Sequence, residues 1–324
     1  MKQLFHTLIL ALIYTSSISA VGANDNGDSP PLVLEHYWML TGADKLQPSG
    51  LSFCGTELVM VSDRHSDMVF SIPLSDKNTA KVNTFRSIPP FKTLPASIGW
   101  QEQLMDWGLR WTNKRFDWEG IHCNTDGELY LASESLSAVA KINLNGHSDW
   151  VSPSLLIELQ KRGFASTLNS GFEGITAHHE HIIIALEREP RGLLRINLHP
   201  TPPHIGKVQQ INHKAFKSPL PPDFTGLWLE QADHHPPKLY TLERNYFRIC
   251  RRAYENWAIE TCWSYRGTER LPEFTFENNQ YGLAEGIARL GEYIYIVLDN
   301  NGEFRKQENN HNPLLFKFKR PNNW

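Results

Sequence analysis

Glu173-Gly174-Ile175 opens an apolar run that turns near His179-Glu180 and returns as Ile182-Ile183-Ile184-Ala185-Leu186-Glu187-Arg188. The opening phrase, a small or acidic residue followed by glycine and Leu or Ile, occurs five times. The other copies are Ser49-Gly50-Leu51, Glu119-Gly120-Ile121, Thr225-Gly226-Leu227 and Glu285-Gly286-Ile287. Each is followed by a second run: Leu58 to Asp63-Arg64, Leu129 to Glu134, Leu239 to Glu243-Arg244, and Ile294 to Asp299. From glycine to closing acid the count is 13, 14, 13, 17 and 13, and the long copy carries the extra residues His234-His235-Pro236-Pro237, read as a loop. Two strands of five or six residues joined by a tight turn occupy about that many positions, so each copy is a β-hairpin with an acid at its closing end.

Two further strand-like runs follow each hairpin, for instance Met68 to Leu74 and Lys81 to Ile88, or Leu193 to Leu198 and Lys207 to Ile211. A four-stranded antiparallel unit repeated at a near-constant period is a propeller blade. The fold class is therefore all-β, a β-propeller with five blades by repeat count. Six is the alternative, with a degenerate blade between Asp67 and Phe116. The fifth copy ends one strand short after Leu314 to Lys319, and the N-terminal run Leu32 to Leu40 is available to supply that strand and close the ring. Short helical insertions are expected at Ala96 to Trp111, with Trp100, Leu104, Trp107, Leu109 and Trp111, and at Ser154 to Arg162, which stops at Gly163. Both precede an acid-Gly-Ile phrase, which would set them over the acidic rim.

Repetition about an axis would gather Asp63, Glu119, Glu134, Glu173, Glu187, Glu243, Glu285 and Asp299 on one rim. So many carboxylates stay ionised side by side only with a cation or an arginine among them, and otherwise take up protons. A hard cation such as calcium suits this all-oxygen donor set. The plainer alternative is that each acid caps its own blade and pairs with a neighbouring arginine. Arg64, Arg188 and Arg244 each follow a closing acid; they serve either as such partners or as forked contacts to a bound anion. Tyr246 is a candidate pocket residue beside them.

The chain of 324 residues carries a net charge of −3 and no basic stripe interleaved with aromatics, which argues against nucleic acid as a partner. Lys2, the apolar stretch Leu4 to Tyr14 and small residues ending at Ala20 or Val21-Gly22-Ala23 have the layout of a cleaved secretory signal. The expected organisation is a signal over 1–23, a polar spacer over 24–31, one propeller domain over 32–319 and a tail over 320–324. The mature protein would be periplasmic or secreted with no membrane span. Export permits disulfides. Cys250 and Cys262 flank a turn near Glu255-Asn256 and are expected to pair, whereas Cys54 and Cys123 are either a bridge between neighbouring inner strands or two buried thiols. The sequence has no Gly-x-Ser-x-Gly elbow, P-loop or His-Glu-x-x-His helix.

The repeated Glu-Gly-Ile phrases, Glu187-Arg188-Glu189, Glu243-Arg244-Asn245-Tyr246 and Leu298-Asp299-Asn300-Asn301-Gly302 together resemble the phytase-like propellers, the family described by "esterase-like activity of phytase". The likeness spans roughly Leu32 to Lys319. It implies a propeller with calcium at acidic sites and a small phosphoester or ester substrate; only the acid-Gly-Ile and acid-Arg positions are carried over. A non-catalytic binding propeller with structural calcium and a lactonase-like propeller are the alternatives.

Overall fold

A computed structural model describes residues 29–324 except 44, 113, 167–170, 213–219, 233–234 and 279. The expected signal over 1–23 lies outside the described residues. Five antiparallel sheets make five blades, each starting at the axis with a glycine-containing strand. Blade 1 is Pro48–Cys54, Glu57–Ser62, Met68–Ile72 and Asn83–Ser87. Blade 2 is Trp118–Cys123, Leu129–Ser133, Ala138–Ile142 and Ser148–Trp150. Blade 3 is Phe172–His178, His181–Leu186, Gly192–Asn197 and His204–Gln210. Blade 4 is Gly226–Ala232, His235–Glu243, Arg248–Ala253 and Ile259–Ser264.

Blade 5 contains Ala284–Leu290, Tyr293–Leu298 and Leu314–Lys319, and its fourth strand comes from the other end of the chain. Val33–Thr41 pairs antiparallel with Leu314–Lys319, from Val33 opposite Lys319 to Met39 opposite Leu314, which closes the ring as expected. A short strand, Thr79–Lys81, then adds in parallel to Val33–Thr41. The run read as Lys81 to Ile88 is thus divided, its first residue going to blade 5 and Asn83–Ser87 to blade 1. No sixth blade fills the interval before Phe116 among the described residues; beyond blade 1 it holds the helix Trp100–Leu109.

The second strands of blades 3 and 5 are almost wholly apolar because both of their faces are covered by neighbouring blades. Along His181–Leu186, Ile182, Ile184 and Leu186 enter the core shared with blade 2, while Ile183 and Ala185 enter the core shared with blade 4. Likewise Ile294, Ile296 and Leu298 face blade 4, and Tyr295 and Val297 face blade 1. Each such side chain contributes roughly 1.5–3 kcal/mol by leaving water.

Glycine is required where the inner strands meet. A Cβ on Gly174 would stand 2.5 Å from the Leu227 nitrogen, and one on Gly120 would stand 2.4 Å from the Glu173 carbonyl oxygen. The backbones of successive blades therefore approach more closely than any side chain allows, which narrows the shaft to a constriction of about 10 Å³ lined by these glycines and the Leu and Ile residues after them.

Both disulfides are formed: Cys250–Cys262 links paired strands within blade 4, and Cys54–Cys123 links the inner strands of blades 1 and 2. The long hairpin of blade 4 is not a loop at His235-Pro236-Pro237, since its strands are extended and Ala232 pairs with His235. Residues 320–324 are packed rather than trailing: Trp324 stacks on Tyr240 and Trp263 at 4.4 and 4.7 Å between ring centres.

Candidate functional site

Immediately before the glycine in blades 1, 2 and 5 the pairing register slips, between Pro48 and Gly50, Trp118 and Gly120, and Ala284 and Gly286. Blade 3 slips between Phe172 and Ile175. A bulge leaves one residue unpaired and re-aims its side chain. The residue in each slip is Ser49, Glu119, Glu285 and, in blade 3, Glu173 or its glycine. A second position follows from register: three residues beyond the partner of the repeated Leu or Ile, just past the end of the second strand, stand Asp63, Glu134, Glu187 and Asp299.

These two rings meet above the constriction in one cavity of about 220 Å³. Asp63, Glu119, Glu134, Glu173, Glu187, Glu285 and Asp299 all line it, together with Arg188 and Arg244. Seven of the eight acids singled out from sequence are thereby brought together.

Glu243 is the exception. Leu227 pairs with Thr241, so the third residue beyond is Arg244, and Glu243 still belongs to the strand, paired with Arg248. Its carboxylate turns away from the shaft into a closed cluster. Oε2 accepts from Arg191 at 3.1 Å and Arg248 at 2.7 Å, and Oε1 accepts from Arg252 at 2.7 Å. Although burial works against ionisation, the three guanidinium groups hold the Glu243 carboxyl down to about 2. Tyr246 goes with that cluster, its ring 5.2 Å from the Arg191 guanidinium and 4.8 Å from that of Arg248, and it does not line the cavity.

Arg244 therefore replaces an acid in the ring. Its Nε donates to Asp223 Oδ2 at 2.8 Å, Nη2 donates to Glu187 Oε1 at 2.8 Å, and Nη1 donates to Glu285. Arg188 Nη1 lies 2.9 Å from Glu187 Oε1 and is more than a third exposed at the mouth. Arg64 is about half exposed; it pairs with Asp63 at 3.6 Å and donates to Gln47.

Blades 1 and 4 have hydroxyls where the others have glutamates. Ser49 Oγ donates to the Trp118 carbonyl at 2.5 Å and Thr225 Oγ1 to the Ala284 carbonyl at 2.7 Å, each stitching its blade to the next.

Two carboxylates escaped the sequence reading. Asp117 joins Asp63 and Glu119 in a group whose carboxylate oxygens lie within 4.8 Å of one another, and Glu134, Glu173 and Glu187 form a second such group. Asp223 anchors Arg244 and accepts from the Asn245 amide at 2.9 Å. A signal for both was present, since Asp117-Trp118-Glu119-Gly120 and Asp223-Phe224-Thr225-Gly226 share an Asp and an aromatic before the repeat phrase.

Among the described residues, nine carboxylates thus surround the cavity against the four basic side chains Arg64, Lys114, Arg188 and Arg244. Burial, reinforced by like charges, pushes Glu134 up to about 8 and Asp117 up to about 6. Glu285 rises to about 8 because burial outweighs its ion pair with Arg244, and burial takes Asp299 to about 6. Glu119 and Glu173 are also raised well above the ordinary carboxylate range: burial leads, and the charges acting on them most strongly are other carboxylates. Glu187 Oε2 is buried without a hydrogen-bond donor. An all-oxygen donor set with acidic neighbours and an unsatisfied carboxylate oxygen fits a hard divalent cation, with Glu134, Glu173 and Glu187 as one ligand group and Asp63, Asp117 and Glu119 as another.

This is a five-bladed propeller with an acidic axial cavity. The family model Phytase-like, esterase-like activity of phytase, matches residues 48–248, and the chain belongs to that family. Among solved structures it is similar to virginiamycin B lyase from Staphylococcus aureus, at 14% identity over 88% of this chain and 74% of that one, with a TM-score of 0.41. It is also similar to an auxiliary nutrient binding protein from Bacteroides thetaiotaomicron, at 11% identity over 89% of this chain and 76% of that one, with a TM-score of 0.44. No curated protein matches the sequence.

Proposed function

We propose that the protein is an exported hydrolase of phosphoester or related ester substrates, and that its acidic cavity works with a bound divalent cation, calcium by donor chemistry. The family supports the reaction class. The observation that carries the cation is the placement of Glu119, half-buried, and Glu173, buried, among other carboxylates with no ion-pair partner among the described residues. Two disulfides favour an oxidising compartment, and no helix among the described residues is long and apolar enough to cross a membrane.

An anionic substrate would be repelled by this cavity until its charge is offset. Calcium held by Glu134, Glu173 and Glu187 would offset that charge, lower the pKa of a coordinated water and stabilise charge developing on a phosphoryl oxygen. Arg188, exposed at the mouth, presents a planar fork suited to two phosphate oxygens. Arg64, about half exposed beside the cavity-lining Asp63, would be a second contact. Arg244, with its nitrogens committed to Asp223, Glu187 and Glu285, would take the first of the two roles open to it and position carboxylates.

That commitment favours a second reading, a binding propeller in which the cation is structural. Phosphate release from a broad phosphoester panel, with an ester and lactone set beside it, separates the two when run with calcium and with chelator. Under the hydrolase reading Glu173→Gln and Arg188→Ala each lower kcat/KM by at least tenfold, about 1.4 kcal/mol in the barrier, with Arg188→Ala keeping the calcium-induced rise in Tm. Calcium-dependent stabilisation without turnover of any substrate would leave the binding reading standing. Absence of both would remove the cation site.

A further inference from the structure

The helix Trp100–Leu109 is built inside out. Its two acids are the buried residues, Glu102 and Asp106, each 1% exposed. Glu102 accepts from the Gly99 amide at 2.8 Å and from Ser154 Oγ at 2.5 Å, and Asp106 accepts from Arg115 Nε at 2.7 Å and Arg110 Nη2 at 3.1 Å. Its large apolar side chains point outward: Trp100 is 72% exposed, Leu104 59% and Trp107 66%, with Trp111 89% exposed just beyond the helix end. The spacing of four, three and four residues sets all four on one stripe. A helix that spends its inward face on held carboxylates and leaves three indoles in water presents a surface to something else.

The charges around the stripe select the occupant. From Lys92 to Arg115 the four basic side chains Lys92, Arg110, Lys114 and Arg115 outnumber the two buried acids, which leaves the segment a net positive charge although Arg110 and Arg115 pair with Asp106 and Lys114 with Asp63. A second copy docking by a two-fold axis would set these basic flanks against each other. An anionic bilayer satisfies both features, since indoles settle at the headgroup level and basic side chains meet lipid phosphates. Lys114 also donates to Asp63 at the cavity lip, so the stripe and the mouth of the cavity belong to adjoining surface.

We propose that Trp100, Leu104, Trp107 and Trp111 form a peripheral docking stripe for anionic lipid, by which the folded protein rests on a membrane surface without spanning it. The proposal is independent of catalysis and of the cation. Cosedimentation of the full folded protein with phosphatidylglycerol–phosphatidylcholine vesicles tests it, with tryptophan emission read in parallel. Binding that weakens at high salt, a blue shift of the emission, and little binding to pure phosphatidylcholine are expected. The double variant Trp107→Ser with Trp111→Ser should lose at least roughly tenfold in affinity while its Tm stays put, because both side chains are exposed. Equal binding by the variant overturns the proposal, as does wild-type protein that ignores the anionic vesicles. A concentration-dependent doubling of mass in light scattering, abolished by the same substitutions and unaccompanied by vesicle binding, overturns it in favour of a second copy.

Discussion

Blades 3 and 4 are neighbours built from the same four-stranded plan, yet they deliver opposite charge to the shaft. Blade 3 contributes Glu173 and Glu187 to the cavity, whereas blade 4 has Thr225 and Arg244 at the corresponding positions, of which Arg244 lines the cavity and Thr225 the constriction. In blade 3 both carboxylates are driven toward protonation by burial. In blade 4 the carboxylate that closes the second strand, Glu243, is withdrawn into a cluster with three arginines and stays ionised. A ring of equal blades would have piled still more acid onto the axis. The asymmetry of blade 4 supplies a fixed cation that links Glu187, Glu285 and Asp223 and leaves the side of the ring formed by blades 2 and 3 short of positive charge.

Removing the wedge should have the largest effect. Arg244→Ala leaves three buried carboxylates without their shared partner and is expected to cost about 3–5 kcal/mol at neutral pH, read from urea unfolding. The loss should be largest above pH 8 and shrink as pH falls, because the Glu187 and Glu285 carboxyls, already raised by burial, take up protons. A loss that does not change with pH would mean that packing, and not charge, is what Arg244 supplies.

The acidic side is sharpened by pH. The Glu134 carboxyl is raised from its ordinary 4.5 to about 8, so the folded state holds a proton that the unfolded chain has released. The stability that this proton contributes is complete below about 4.5 and is lost as pH rises toward about 8, on the order of a few kcal/mol in metal-free protein. Glu134→Gln retains an acceptor for the Gly171 amide and should flatten that decline, raising Tm at pH 8 without cation. The same substitution should diminish the stabilisation by calcium. Glu243 runs the other way, its contribution lost only as pH falls from about 4.5 to about 2.

The smallest effect is expected at the hydroxyl stitches. Thr225→Val keeps shape and removes the hydrogen bond to the Ala284 carbonyl, costing about 1 kcal/mol. Ser49→Ala at the equivalent place in blade 1 should cost a similar amount, and a large difference between the two would break their equivalence.

The fold was legible because the glycine phrase marks where inner strands touch, and no other residue fits there. Most of the acidic ring was legible for the same reason: each acid keeps a fixed distance from that glycine. Blade 4 misleads because Leu242-Glu243 reads like Leu298-Asp299, while pairing counted from Leu227 reaches Arg244. Side-chain direction depends on register, and a slip of one residue reverses it. Asp117 and Asp223 lie before the repeat phrase, outside the hairpin that the count followed. The helix at Trp100 was placed by its apolar spacing, but that pattern predicts a buried stripe, and only packing reveals that the acids took the inside.

Closure of blade 5 sets the order of assembly. Leu314–Lys319 finds its edge partner in Val33–Thr41, so the first strand synthesised must wait for the last before either edge is covered. Contacts this remote in sequence make for slow folding, and until they form two strand edges remain open to pairing with other chains. A nascent molecule kept apart from its siblings until Lys319 has emerged would thus be spared pairing between chains along those two edges.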